Sequence, residues 1–139
     1  MEKSKHKRRV AVLRGGPSEE YDISLITGAA VIDALKESQD FYPLDVVVTK
    51  DGEWLMDGRV YQPGHVLNTT DIAFLAFHGA YGEDGTVQRL LEQRSIPYTG
   101  SGPYASALAM NKLITKDRVR QLDGVCLVMM VGCTSRAMF

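Results

Sequence analysis

The sequence predicts an α/β fold with a mainly parallel sheet and flanking helices, a Rossmann-like layer arrangement, on three observations. Short apolar runs alternate with stretches of helical apolar spacing. Two of those runs end in glycine-rich polar loops, RGGPSEE and HGAYGEDG. The chain has 139 residues, a length that suits one domain, and no linker divides it.

Each element follows in order. Val10-Ala11-Val12-Leu13 is a continuous apolar run ended by Gly15-Gly16, as expected of a strand buried on both faces. Ser18 is the N-cap candidate for the next helix, with Glu19 and Glu20 in its first turn. Ile23, Ile26, Ala30, Val31, Ala34 and Leu35 recur at helical spacing and form its expected apolar face. FYPLDVVVT is the second strand. DGEWLMDGRVYQPG carries Asp-Gly pairs at 51–52 and 57–58 and reads as a small hairpin or meander. DIAFLAF is the third principal strand, TVQRLLEQR a short helix, and IPYTGSG a short strand with a turn. PYASALAMNKLITKDRVRQL has a helical pattern that opens on Pro103.

The flanks differ in character. MEKSKHKRR reads as a solvated basic tail over residues 1–8, with residues 9–122 forming the domain. VCLVMMVGCTSRAMF, within an atypical tail at 123–139, reads as one more strand or as a segment with nowhere to pack. It holds both cysteines, Cys126 and Cys133, whose spacing is not that of a metal site.

Composition excludes some classes. Hydrophobic residues make up 45% and charged residues 24%, as in soluble globular chains. Sixteen basic and seventeen acidic residues leave a charge of −1, which argues against a nucleic-acid partner. No segment approaches the ~20 apolar residues of a membrane span, and no secretion signal is legible. A cytoplasmic protein is therefore expected, without membrane partners.

The two glycine loops carry the chemistry. Both follow strands, and in parallel sheets ligands sit beyond the C-terminal strand ends. In RGGPSEE, the glycines and a helix N-terminus suggest phosphate binding, but Glu19 and Glu20 would repel it. A carboxylate there suits a cationic group, such as the ammonium of an amino acid; plain helix capping is the alternative. GxGxxG and the P-loop pattern are both absent. In HGAYGEDG, His78 can donate or accept near neutral pH. Glu83 and Asp84 would bind a cation, hold His78, or cap the helix after Gly85. Lys112 and Lys116 share a helix face that is either solvated or, at Lys112, in contact with a phosphate.

Taken together, GGPSEEYDISLITG and HGAYGEDGTVQRLLEQRSIPYTGSGPYASALAMNKLITK resemble the N-terminal domain of the D-alanine–D-alanine ligases, over about Arg9 to Leu122. The resemblance implies a pre-ATP-grasp domain. It implies that Glu20 takes the ammonium of the first D-alanine and acts with His78 in catalysis. His78 and Glu83 would border the dipeptide site, and Lys112 would approach the ATP phosphates. Pro17 and Asn111 stand where the family has Thr in many members and usually Asp, respectively. The family reaction consumes ATP with Mg2+ and makes D-alanyl-D-alanine for peptidoglycan. Its ATP-grasp portion, which supplies most nucleotide and magnesium contacts, has no counterpart here. The expectation is a fragment that binds D-alanine weakly, holds no cofactor alone, and is inactive alone. A homodimer through the N-terminal helices is also implied. The alternative is a non-catalytic module for amino-acid binding or dimerisation.

Overall fold

The first apolar run forms β1, Arg8–Gly15, next to the centre of a five-stranded sheet in the computed structural model, which describes residues 6–120. Alternate side chains of β1 enter two cores. Ala11 and Leu13 join one cluster, and Val10 and Val12 join the other; none is more than 4% exposed. Double-sided burial explains the unbroken apolar run, and each such valine or leucine contributes about 1.5–3 kcal/mol.

The chain continues through α1, Tyr21–Lys36, and β2, Phe41–Val48. The hairpin forms as expected, from β3, Trp54–Met56, and β4, Arg59–Tyr61. A short helix, α2, Pro63–Asn68, then precedes β5, Ile72–Leu75. The last three elements are α3, Thr86–Glu92, α4, Pro103–Met110, and α5, Lys112–Val119. Strand order is β4-β3-β2-β1-β5. β2, β1 and β5 are parallel, and the hairpin adds an antiparallel edge beside β2. Val31, Ile32 and Leu35 of α1 pack on one face, while Val66 and Leu67 of α2 and Val87 and Leu91 of α3 pack on the other.

Several elements depart from the sequence reading. α2 has no apolar period to announce it and is set by Pro63 at its start. IPYTGSG makes only an isolated bridge, Ala73 to Tyr98. The long final helix breaks at Asn111, whose backbone leaves the helical region. Its side chain accepts hydrogen bonds from the Leu113 and Ile114 amides, so it caps α5.

α1 keeps Val31 and Leu35 of the expected face against the sheet but turns the rest of that face, Ile23, Ile26, Ala30 and Ala34, to the exterior. Ser24, Gly28 and Ile32 are buried, whereas Ile23 and Ile26 are 53% and 72% exposed. The cause lies on the sheet. Arg14 rises from β1, forks onto Asp45 of β2 at 2.7 and 2.6 Å, and donates to the Leu25 carbonyl at 2.9 Å. A Cβ on Gly28 would collide with the Arg14 stem, so the helix approaches along its small residues. The Asp45 hydrogen bonds raise the already high Arg14 pKa.

The apolar block at 125–131, both cysteines and the first five residues lie outside the described residues. Among the described residues, no helix is long and apolar enough to cross a membrane.

Candidate functional site

β1 is the switch point of the sheet. The chain leaves it through α1 to β2 on one side, and β5 lies on its other side. The loops leaving β1 and β5 therefore face each other across the crevice where such sheets bind ligands. These are the two glycine loops.

The first loop turns on Gly15 and Gly16, with φ of 86° and 94°. The true N-cap of α1 is Glu20, not Ser18, and Glu20 makes no side-chain capping bond. The Ser18 hydroxyl instead accepts from the Glu20 amide at 3.0 Å, closing a local turn before the helix. That leaves the Glu20 carboxylate exposed and uncommitted to the helix end. It faces the second loop: a Cβ built on Gly79 would lie 3.1 Å from Glu20 Oε2 and 3.0 Å from Ser18 Oγ.

Ser24 clips the two loops together. It is fully buried, and its hydroxyl accepts from the Gly15 amide at 2.7 Å and donates to the Ala76 carbonyl at 2.8 Å. His78 follows two residues later. Its ring lies against α1, with Nε2 2.9 Å from Thr27 Oγ1.

The rest of the second loop is braced from below. Tyr81 has φ of 75°, unusual for a residue with a side chain. Its ring packs edge-on against Phe77, and its hydroxyl accepts from the Trp54 indole at 3.1 Å. Burial pushes the Tyr81 phenol up, the Trp54 hydrogen bond opposes it, and Asp84 adds to the rise. Gln88, 3% exposed, donates to the Gly82 carbonyl at 2.6 Å. Asp84 closes a local turn before α3, whose N-cap is Gly85, by accepting from the Thr86 amide at 2.8 Å. Burial alone would raise its carboxyl, but hydrogen bonds from Thr86 and Tyr81 outweigh that and hold it below the usual carboxylate range. Glu83 is exposed, and its amide donates to the Gly79 carbonyl at 3.1 Å.

The structure thus brings the Glu20 carboxylate to the backbone beside His78, with Glu83 exposed on the same loop. Lys112 stands apart, exposed at the start of α5. The link between them runs through Gly85, which lies against the Pro103 carbonyl at the head of α4. Among the described residues, no group of three or more His, Cys, Asp or Glu could hold a metal ion. Ser24, Thr27, Tyr81 and Gln88 escape the sequence reading. Ser24 had one signal: it stands one turn before Gly28, so two small residues share the helix face that approaches the sheet closely.

Known proteins resemble this chain in sequence and in fold. The family model described as D-ala D-ala ligase N-terminus matches residues 9–63 and 58–101. A D-alanine–D-alanine ligase of Geobacter sulfurreducens is 47% identical over 110 residues, which is 78% of this chain and 31% of that protein. The one from Nitrosospira multiformis is 51% identical over 109 residues, 78% of this chain and 32% of its own length. The chain therefore spans about a third of the length of the curated relatives it matches. Among solved structures, a D-alanine–D-alanine ligase from Aeromonas hydrophila superposes with a TM-score of 0.76 at 26% identity, covering 88% of this chain and 50% of that one. D-alanyl-alanine synthetase A from Vibrio cholerae gives 0.69 at 28% identity, over 84% of this chain and 38% of that one. With two glycine loops meeting at one switch point and the family model running across both, the chain belongs to the D-alanine–D-alanine ligase family and matches its N-terminal part.

Proposed function

We propose that this chain forms the part of a D-alanine–D-alanine ligase that grips the first D-alanine. Glu20 takes the ammonium group, and His78 and Glu83 border the space in which the dipeptide forms. The observation that carries this reading is the exposed Glu20 carboxylate, free of the capping role its position invites and directed at the Gly79 backbone. A carboxylate at a helix start repels phosphate and attracts a cation. A charge-assisted hydrogen bond contributes about 1.5–3 kcal/mol, and a millimolar ligand needs about 4 kcal/mol, so a few contacts give weak binding. Titration of the 139-residue chain with D-alanine, followed by amide shifts, tests this. Millimolar binding that Glu20→Gln abolishes is expected; equal binding by both chains would remove Glu20 from the site.

In the whole enzyme, the first carboxylate would take the γ-phosphoryl group of ATP with release of ADP, and attack of the second D-alanine amine on that acyl phosphate would form the amide and release inorganic phosphate; Mg2+ would offset the phosphate charge. Lys112 is the residue here suited to the phosphates, since its ammonium is exposed beside the capped start of α5. The described residues offer no carboxylate cluster for magnesium. The chain assayed alone should therefore release no ADP with D-alanine and Mg2+; sustained turnover would refute that. We place the activity in the cytoplasm, in peptidoglycan synthesis. The domain this reading assigns to it runs over residues 9–122.

A second reading is a non-catalytic module that pairs through its helices. The exposed Ile23 and Ile26 on α1 favour it, and such pairing is equally open to a ligase homodimer. Sedimentation distinguishes the two states: a monomer at all concentrations counts against pairing.

A further inference from the structure

Thr27 has no assigned role, yet its hydroxyl is what the His78 ring rests on. Thr27 Oγ1 lies 2.9 Å from His78 Nε2 and 3.0 Å from the Ile23 carbonyl oxygen one turn earlier. A hydroxyl has one proton to give and two lone pairs to receive. Should that proton go to Nε2, the contact with the Ile23 carbonyl has no hydrogen in it. Should it go to the Ile23 carbonyl, Nε2 carries the hydrogen and donates to Thr27, and both contacts are hydrogen bonds. The second arrangement makes one bond more, which favours it about fivefold for a neutral pair.

We infer that Thr27 is a positioning residue that holds neutral His78 as its Nε2–H tautomer and so leaves Nδ1 as the ring's acceptor. The consequence for specificity rests on the proposed grip of an amino acid by Glu20 and His78. With Nε2 occupied by Thr27, the ring can only accept at Nδ1. An acceptor on the loop that touches Glu20 suits an N–H donor, such as a primary ammonium, and not a carboxylate oxygen. The opposite tautomer would offer an N–H and select the other end of the substrate.

The experiment reads the tautomer directly, in the full 139-residue chain without ligand. Long-range proton–nitrogen spectra of 15N-labelled protein are recorded above the titration of the ring, and His78→Gln assigns its two nitrogens. The expected result is an Nε2–H pattern in the native chain and in Thr27→Ser. In Thr27→Val, the share of the Nδ1–H form rises about fivefold, the loss of one neutral hydrogen bond. Thr27→Ala serves as a second hydroxyl-free chain, and circular dichroism confirms that each variant stays folded. An Nδ1–H pattern in the native chain overturns the inference, as does a tautomer ratio unchanged in both hydroxyl-free variants. Because no ligand is present, a failed D-alanine titration would remove the grip and leave this result standing.

Discussion

Replacing Ser24 with alanine removes one oxygen and should disturb both glycine loops at once. The hydroxyl is fully buried and satisfies the Gly15 amide at 2.7 Å and the Ala76 carbonyl at 2.8 Å. Alanine leaves both backbone groups without that partner, in a place closed to bulk water. An orphaned buried polar group costs about 1–3 kcal/mol, so two cost about 2–4 kcal/mol once small relaxations are allowed. That is a large share of the roughly 5–15 kcal/mol that holds a domain together. Urea unfolding of the native chain and Ser24→Ala measures it, and the midpoint should fall with the slope unchanged. D-alanine binding, read by amide shifts in denaturant-free buffer, should weaken as well, because the hydroxyl spaces the Glu20 loop from the His78 loop. A stability change under about 0.5 kcal/mol with unaltered binding would show that the loops hold their spacing without Ser24, and the clip argument would be wrong.

Three other perturbations have definite expected outcomes. Gly85→Ala forces a side chain to a φ of 90° and into the Pro103 carbonyl, so it should cost at least about 1–3 kcal/mol and loosen α4; thermal unfolding and proteolysis after Pro103 would register both. Tyr81→Phe leaves the indole N–H of the sole tryptophan, Trp54, without its acceptor, at about 1–3 kcal/mol. Trp54 fluorescence should shift with it, and an unchanged spectrum and midpoint would count against the brace. Acid should weaken the fold through Asp71 and Asp84. Hydrogen bonds from the Arg9 amide and guanidinium lower the Asp71 carboxyl, and those from Thr86 and Tyr81 lower Asp84. Folded values below the unfolded ~3.9 mean that their stabilisation is present above that value and is lost as pH falls through the folded values. Urea midpoints recorded from pH 6 to about 3 should drop at the acid end, less steeply in Asp71→Asn and Asp84→Asn.

The layer order and both loops are legible in the sequence because they are written in local terms. A strand buried on two faces must be apolar throughout, as Val10 to Leu13 is, and a chain that turns sharply at a strand end must carry glycine, as at Gly15 and Gly16. The Asp-Gly pairs similarly announced the hairpin. What remained hidden depends on contacts between residues distant in sequence. The face that α1 buries was set by Arg14 and Asp45, two residues on strands, which outweighed the apolar spacing of Ile23 and Ile26. The break at Asn111 was a choice between continuing a helix and capping a new one, and both fit the same local pattern. The proposed site divides the same way. Glu20, His78, Glu83 and Lys112 stood out by residue type and by resemblance, since charge and glycine are visible in any sequence. Ser24, Thr27 and Tyr81 did not, because a hydroxyl acquires meaning only from the partner that folding brings within 3 Å or so. Sequence determined which groups this protein carries and where the chain must turn; tertiary structure alone decided which of them meet, because hydrogen bonds across 27 to 52 residues of separation follow from packing and not from spacing.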